Sequence, residues 1–356
     1  MVDNSRVIEN TWSMLRYLYD ELKHKKFNDV DLAYINTIDD LYALIICKWT
    51  LSIAKEGLYK EYVEVIDDEL SSPKGQINIQ QSIVMQTRSR GTLICSYDEL
   101  SEDIYINHIL KGILHYLLLD NNINQQVQYE IKKVMQLFNA VSYVDINYIH
   151  WKDIKFNNNN IRYAHLIEII KNFLYERKLV GSGVLDDNKR VYLLFKKQMA
   201  KWIKQTYASD DTVEIFTMPY NDDIDPQFEI KINKVQKFQV IKTDDDKALI
   251  ISIRLQDELV LGDSTIGRKH INEMVKCLRE FSSINRIKPS GCIIYVNVDK
   301  NKINLQPINI NNVNNFLVGE QIVDIHDQWK FVANKINDCY KYFIQSGKNR
   351  RGIRKQ

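Results

Sequence analysis

Two carboxylates in or beside strand-like runs of the second half of the chain are followed two residues later by a lysine, a spacing that can support chemistry. Glu229-Ile230-Lys231 and Asp245-Asp246-Lys247 both have it. On a β-strand, residues i and i+2 lie on the same face. With a second carboxylate on the neighbouring strand, such a pair can hold Mg²⁺, which takes oxygen ligands and lowers the pKa of bound water. The chemistry that such residues allow is activation of a metal-bound water for hydrolysis.

The two pairs differ in their predicted surroundings. Asp245 lies in the turn 244–246, where side chains do not alternate as they do on a strand, so we do not expect a site there. Glu229 lies in a run that could be a strand, and Glu214 lies in the strand-like run before it. Glu214, Glu229 and Lys231 are therefore a metal site that the residues themselves allow, and we call it the displaced site.

Other catalytic or metal-binding patterns are missing from the sequence. The cysteines are scattered and form no C-x-x-C pair, so we expect buried free thiols and neither disulfides nor zinc. They are Cys47, Cys95, Cys277, Cys292 and Cys339. His270 and His326 have no partner at metal-ligand spacing, which favours surface or capping roles. No G-x-x-x-x-G-K-(S/T) string occurs, so nucleotide hydrolysis must come from another chain.

Composition indicates a soluble globular protein with room for two domains. The chain has 356 residues, of which 45% are hydrophobic and 26% charged, with a net charge of only +2. No apolar run approaches the roughly 20 residues that span a membrane, and the first residues lack a signal-peptide core. We therefore expect a cytoplasmic protein. The tail 348–355 carries five basic groups and no acid, which fits either phosphate contact or a frayed terminus.

The first half of the sequence is predicted to be helical with a small β-rich insertion. Apolar residues recur at helical spacing over 6–23, 38–54, 101–117, 124–138 and 163–176. Ser101-Glu102-Asp103 is polar and acidic, as a helix start prefers. Between the second and third helices, 61–94 mixes short strand-like runs with a turn at 71–75.

The second half follows an α/β order. Gly181-Ser182-Gly183 is the candidate hinge. The predicted elements after it are a helix (189–207), strands (213–218, 235–242, 248–254), a helix (268–281), a strand (292–298) and a final helix (328–344). The fold class is therefore α+β, with domains at 1–180 and 184–356.

Two stretches resemble the McrC family. In 70–119, Lys74, Gly75 and Ile77 fit a family turn, and the run 97–107 fits the strand and helix that follow it. The matching residues of that run are Tyr97, Asp98, Glu99, Asp103 and Asn107, with His108 where the family usually has Arg. The second stretch, 150–173, has a Trp, an Asn-rich loop and a helix that opens with Tyr. Asp98 and Asp103 fit helix-starting roles, and Asn107 fits a buried polar anchor.

The resemblance implies a partner. McrC proteins are the nuclease subunits of McrBC-type restriction systems and project a stalk into the pore of an AAA+ GTPase, McrB. The insertion at 62–96 occupies the corresponding place, and Arg88 and Arg90 lie in its loop. They are the candidate partner-binding residues, although solvated loop arginines are the simpler alternative. Mg²⁺ and GTP or another NTP are expected in the complex, with none bound by this chain, and double-stranded DNA is an expected partner.

The resemblance also implies a degenerate nuclease domain. The C-terminal half of McrC proteins resembles a PD-(D/E)xK nuclease, and on that pattern the two acids and the lysine fall at Gln239, Ser252 and Arg254. An acid of the preceding helix falls at Lys196, and a later Gln falls at Glu273. We therefore predict no catalytic residue and no metal site in this chain, and a degenerate PD-(D/E)xK-like α/β domain.

Three functions stay open at this point. The first is a component of a multi-subunit restriction endonuclease, acting in phage defence, that docks on the motor and works beside a separate nuclease subunit, as in BsuMI-type systems. The second is an active Mg²⁺-dependent endonuclease that uses the displaced pair Glu214 and Glu229. The third is a DNA-binding module that never meets a motor.

Overall fold

The structure, a computed structural model, is a mixed arrangement of helices and strands, and the predicted α+β class is confirmed. It describes residues 5–19, 22, 34–181, 183, 186–208, 212–219, 235–243, 247–255, 264–297, 309–324 and 329–345. The helices are α1 (Ser5–Leu18), α2 (Ile38–Glu56), α3 (Ile79–Val84), α4 (Tyr105–Leu119), α5 (Gln125–Met135), α6 (Ala164–Gly181), α7 (Asp187–Tyr207), α8 (Ser264–Asn285) and α9 (Trp329–Tyr340). The strands are β1 (Glu61–Leu70), β2 (Gln76–Ile77), β3 (Leu93–Ser101), β4 (Thr212–Pro219), β5 (Val235–Lys242), β6 (Lys247–Leu255), β7 (Lys288–Asn297), β8 (Asn309–Val313) and β9 (Phe316–Asp324). Within these ranges, no helix combines the length and the apolar character that a membrane crossing requires.

The chain forms two compact units. The three-stranded unit comprises 27–175, and the six-stranded unit comprises 1–26 together with 176–356. The division differs from the expected domains in grouping the first helix with the C-terminal half. Gly181 ends helix α6, and Ser182 of the candidate hinge lies outside the described residues. The hinge therefore stays a prediction.

An antiparallel pair of long strands dominates the sheet of the three-stranded unit. The strand order is β1-β3-β2, and β1 pairs with β3 from Glu61↔Ser101 to Leu70↔Leu93. A register shift between Val65 and Asp68 marks a bulge, with Asp67 at φ 58°. Such a bulge bends the strand and leaves one residue unpaired. The predicted β-rich insertion is thus present, with the short helix α3 between β2 and β3.

The turn that carries Lys74 and Gly75 is closely packed. Gly75 has φ +68°, and a Cβ there would lie 2.6 Å from the Tyr97 Cβ, so a larger residue fits neither the backbone nor the space. The Lys74 Nζ lies 3.8 Å from the centre of the Tyr97 ring, within cation–π range. Lys74, Gly75 and Tyr97, quoted above for their resemblance, thus form one local contact.

The expected helix start at 101–103 was wrong. Strand β3 continues through Ser101, and α4 begins at Tyr105 without a side-chain cap. Asp98 lies on β3, and the Asp103 carboxylate instead accepts from the Ser142 amide and lies 2.7 Å from the His108 Nε2. The hydrogen bond from Ser142, helped by His108, lowers the pKa of Asp103.

Asn107 is a buried polar anchor, as expected. Its Nδ2 donates to the carbonyl oxygens of Tyr59 (2.9 Å) and Glu102 (2.8 Å). Its Oδ1 accepts from the Tyr163 hydroxyl at 3.2 Å, and that hydroxyl accepts from the Tyr59 amide at 2.8 Å. Tyr59 precedes β1 and Glu102 follows β3, so this network fixes both strands to helix α4 at the base of the pair.

The six-stranded unit contains a mixed sheet of order β4-β5-β6-β7-β9-β8. β5 runs antiparallel to both of its neighbours, β4 and β6, whereas β6, β7 and β9 run parallel. The predicted order of helix, three strands, helix and strand over 187–297 is confirmed. Strands β8 and β9 were not predicted from the sequence. β8 reads NINNV, and its polar residues give little strand signal.

Both faces of this sheet are covered. The apolar side chains on one face pack against α8. They are Phe238, Val240, Ala248, Ile250, Ile293, Tyr295 and Val318. Helix α7 contacts β4, β5 and β6, and α9 contacts β9. Strand β6 is accordingly buried along almost its whole length, which is typical of a strand with helices on both sides.

All five cysteines are buried free thiols, as expected. Burial raises the pKa of Cys47 and of Cys277 to about 12. Because the thiolate is the reactive form, both thiols are inert at neutral pH.

Replacing Asn107 with Ala should destabilise the protein strongly. The change removes three hydrogen bonds inside the protein and leaves the Tyr59 and Glu102 carbonyls without their donor. We expect the free energy of unfolding to fall by about 3 kcal/mol, measured by urea denaturation. Asn159→Ala is the control, because Asn159 is exposed. Equal stability of the two variants would contradict the anchoring role.

Candidate functional site

The strand pair that would carry a metal site contains no carboxylate. β5 reads VQKFQVIK and β6 reads KALIISIRL. The β5 residues that face α8 include Phe238 and Val240, both buried in the apolar core. This face therefore offers no anionic oxygen from either strand.

The structure does not bring Gln239 and Ser252 together. In the β5–β6 ladder Gln239 pairs with Ile251, so both lie on one face, while Ser252 and Arg254 lie on the other. Gln239 and Ser252 therefore cannot contribute to one site. The β5 residues that share the face of Ser252 include Phe238 and Val240, whose buried apolar side chains have no ligand atom.

Ser252, Arg254 and Glu273 are brought together as a buried polar group. The Arg254 Nε donates to the Ser252 Oγ at 3.0 Å. One terminal nitrogen of Arg254 lies 2.6 Å from a carboxylate oxygen of Glu273 on α8, and the two side chains are only 5% and 7% exposed. Arg254 and Glu273 stand at the positions where the family pattern has Lys and Gln. The two residues matched to that Lys and that Gln therefore form one ion pair.

Helix α7 is held to the same end of strand β6. The Tyr192 hydroxyl donates to the Ile253 carbonyl oxygen at 2.8 Å. Lys196 lies one helical turn after Tyr192 and is half-buried. A lysine there adds positive charge on the helix where the family pattern has an acid.

The residues of the displaced site are only partly described. Glu214 lies on β4 and forms an ion pair with Lys242 of β5 at 2.7 Å. Glu229, Lys231 and Asp245 lie outside the described residues. The Lys247 Nζ donates to the Ile344 carbonyl oxygen at 2.8 Å, so this lysine has a structural contact.

The described residues do not fit a resident divalent cation. Mg²⁺ prefers anionic oxygen ligands, whereas Ser252 supplies a neutral hydroxyl and Arg254 a permanent positive charge. Across the described ranges, no group of three or more His, Cys, Asp or Glu side chains is placed to hold a metal ion. The positive charge on this face is the Arg254 guanidinium and not a metal ion's charge.

His270 is not a surface residue, which corrects the expectation from sequence. It is buried on α8, one turn before Glu273, and its ring lies 5.7 Å from that of Tyr295 on β7. The Tyr295 hydroxyl donates to the Glu320 Oε1 at 3.3 Å. No sequence signal joins these residues, because they come from three separate elements. His326 lies outside the described residues.

The loop of the three-stranded unit places Arg90 against its own strand. Arg88 and Arg90 belong to a 3₁₀ turn, Thr87–Arg90, and the Arg88 side chain lies outside the described residues. Arg90 forms an ion pair with Glu69 of β1 at 2.9 Å and stays half-exposed. Beside the turn, α3 presents a group of exposed apolar side chains, which we call the apolar tip. It comprises Ile79, Ile83, Val84 and Met85.

The fold and the site together define an α+β protein with a mixed six-stranded sheet whose β5–β6 pair carries no acid. The family model described as McrBC 5-methylcytosine restriction system component matches residues 3–261. The chain belongs to this family, and its predicted McrC-like identity is confirmed.

Two relatives are similar over nearly the whole chain. The type IV methyl-directed restriction enzyme EcoKMcrBC of Escherichia coli (strain K12) is 19% identical over 352 residues, covering 95% of this chain and 98% of that protein. A chain from the tetradecameric assembly of Thermococcus gammatolerans McrB AAA+ hexamers with bound McrC is 15% identical, with a TM-score of 0.57. That match covers 92% of this chain and 76% of the other, and it shows a shared fold.

Removing Glu273 should destabilise the six-stranded unit more than removing both charges. In Glu273→Ala the Arg254 charge stays buried without its opposite, at an expected cost of about 3–5 kcal/mol. Arg254→Met with Glu273→Leu removes both charges and should be closer to the wild type. Chemical denaturation followed by circular dichroism measures the difference, and a double variant less stable than the single one would contradict the ion-pair account.

Proposed function

We propose that this chain is the McrC-like component of a multi-subunit DNA restriction system. In this proposal it docks on an McrB-like AAA+ NTPase, stimulates nucleotide hydrolysis and contributes to DNA cleavage by the complex, without an intact nuclease site of its own. The family match supports the restriction role. The relative solved with McrB hexamers supports the choice of partner.

The six-stranded unit fits a degenerate PD-(D/E)xK-like domain. Helix α7 precedes three antiparallel strands, and α8 then connects β6 to the parallel strand β7. The β5–β6 pair therefore packs against α7 and α8. The proposal assigns domain boundaries at 1–180 and 184–356.

The proposed loss of nuclease activity rests on the Arg254–Glu273 ion pair. A divalent cation would have to settle beside a buried guanidinium and without a carboxylate from β5 or β6. Mg²⁺ and an NTP are therefore assigned to other subunits of the complex. DNA is assigned to the complex as a whole, and a separate nuclease subunit is the source of cleavage.

The three-stranded unit is the proposed docking element. The apolar tip ends a pair of nine- and ten-residue strands, and Ile83 is 68% exposed. Exposed apolar side chains that lie together mark interaction surfaces. Arg88 and Arg90 stay candidate partner-binding residues beside this tip.

An active endonuclease is the second candidate function. Only the displaced set of Glu214, Glu229 and Lys231 could support it. The Glu214 carboxylate already pairs with Lys242, which weighs against a role as a metal ligand.

Glu229→Ala should leave DNA cleavage by the reconstituted complex at the wild-type rate. The reason is that the proposal gives Glu229 no metal to hold. Cleavage is followed on plasmid DNA with Mg²⁺ and an NTP present. Asp222→Ala, which removes another acid from the same stretch of sequence, is the matched control. Loss of cleavage in Glu229→Ala alone would establish the second candidate instead.

Replacing Ile83 and Val84 with Ser should reduce NTPase stimulation by about fivefold or more, since a few buried apolar anchors carry most of an interface energy. Both side chains are exposed, so the fold itself should be unaffected. Nucleotide hydrolysis by the McrB-like NTPase of the same organism is the measurement. Leu119→Ser with Ile161→Ser is the control, because both residues are similarly exposed elsewhere in the unit. Full stimulation by the tip variant would remove the tip from the interface.

A further inference from the structure

A cleft of about 390 Å³ opens on the three-stranded unit between residues 151–156 and the start of helix α6. Its volume falls within the range of about 300–1,000 Å³ that small-ligand sites occupy. Two aromatic side chains line it: Trp151, which is partly buried, and Phe156, which is 41% exposed. Aromatic rings that stay open to solvent in a concave surface can stack on a planar ligand.

The loop that carries the exposed ring is held by the Asn-rich segment that follows it. Asn160 is buried, its Nδ2 donates to the Lys155 carbonyl oxygen at 3.1 Å, and its Oδ1 accepts from the Asn157 amide at 2.7 Å. Before the loop, the His150 amide donates to the Tyr105 hydroxyl at 2.7 Å. The cleft is therefore formed in the free chain, which lowers the cost of ordering it around a ligand.

Positive charge borders the cleft. The segments that form it, 151–156 and 164–171, contain three lysines and two acids. Lys171 lines the cleft, whereas Lys152 and Lys155 are exposed beside it. Within the described part of the chain, none of these three ammonium groups has a hydrogen-bond or ion-pair partner. A phosphate group would therefore meet cations that no described carboxylate neutralises.

One of the two acids, Glu168, lines the cleft itself. A carboxylate repels phosphate, but it accepts hydrogen bonds from the exocyclic amino group of a base, as Glu does from cytosine N4. Thymine has no such amino group. A cationic side chain would also suit the rings and Glu168, but Lys171 in the cleft and the lysines beside it would repel that cation. The lining therefore favours a base at the carboxylate with its phosphates outside, near the lysines.

We propose that this cleft binds an unpaired, amino-bearing base of single-stranded DNA, with the flanking phosphates on Lys152 and Lys155. Within a duplex the faces of a base are covered by its neighbours, so only an unpaired base can enter. The inference rests on the proposed function, since it gives this chain a share of the DNA contact of the complex. The two lysines lie outside the cleft, where a strand continues past the bound nucleotide and a free nucleotide ends.

Phe156→Ala should weaken binding of single-stranded DNA by about tenfold, because it removes a stacking surface. The side chain is exposed, so the melting temperature should not change. Binding of the full-length chain to a labelled oligo-dC of about 12 nucleotides is measured by fluorescence anisotropy at about 0.05 M salt. Tyr129→Ala is the matched control, since it removes another exposed ring of the same unit, one that lies beside Lys133. Equal losses in the two variants, or no loss in Phe156→Ala, would overturn the proposal.

The charged residues give two further measurements. Lys152→Ala with Lys155→Ala should make the slope of log affinity against log salt shallower by about 1.4, since each phosphate contact on a single strand contributes about 0.7. Lys132→Ala with Lys133→Ala removes the same charge from helix α5 and should leave the slope unchanged. The wild type should bind oligo-dC about fivefold more tightly than oligo-dT, and Glu168→Gln should reduce this preference to within about twofold, because an amide can serve either base. Equal slopes in the two double variants, or no base preference in the wild type, would contradict the proposal.

Competition and NTPase assays separate the other occupants. Free dCMP should compete at least about tenfold more weakly than unlabelled oligo-dC, because it lacks the phosphates that reach the lysines. Equal competition would make a free nucleotide the ligand and overturn the proposal. So would a Phe156→Ala variant that binds DNA normally but stimulates the McrB-like NTPase less, since a partner's side chain would then fill the cleft. A wild-type chain that stimulates the NTPase without binding single-stranded DNA would refute this inference alone. Failure to stimulate the NTPase would refute the proposed function, while the DNA measurements would still decide the inference.

Discussion

A buried charge must be matched by an opposite one, and this constraint decides the chemistry of the six-stranded unit. Arg254 projects from β6 into a space closed by α8, where water cannot solvate the guanidinium. Glu273 neutralises it, and Ser252 occupies another of its donors. In an active metal site the acids come from the strands and the positive charge from the ion. Here the strand supplies the cation and the helix supplies the acid, so the electrostatic roles are exchanged.

The long elements of the fold could be predicted from the sequence, whereas the side-chain register could not. Helices such as α2 and α7 show apolar residues at regular spacing, and the β5–β6 pair shows a clear turn. Strand β6 is buried on both faces, so its apolar run does not reveal which residues face α8. A slip of one residue moves every side chain to the other face, so the match of Gln239 and Ser252 to one family pattern could not show that they lie on opposite faces.

Contacts between distant elements account for the remaining differences. The positions of Arg254 and Glu273 were matched to the family pattern. The sequence of neither segment shows that a terminal nitrogen of Arg254 lies 2.6 Å from a carboxylate oxygen of Glu273. His270 was assigned to the surface because a single histidine carries no periodic signal, and Tyr295 lies on a different element. Asp103 has the residue type of a helix cap, yet the strand before it continues and the Ser142 amide takes its carboxylate.

The hydrogen bonds around Asn107 have a mechanical consequence. Tyr59 precedes β1 and Glu102 follows β3. Asn107 donates hydrogen bonds to the carbonyl oxygens of both residues, and the Tyr163 hydroxyl accepts one from the Tyr59 amide. Tension applied along β1 and β3 would be borne at these two points and passed to the buried helix α4. Both strands are thereby held at their base, so a force applied further along the pair would be transmitted to α4 and not absorbed by bending at the base.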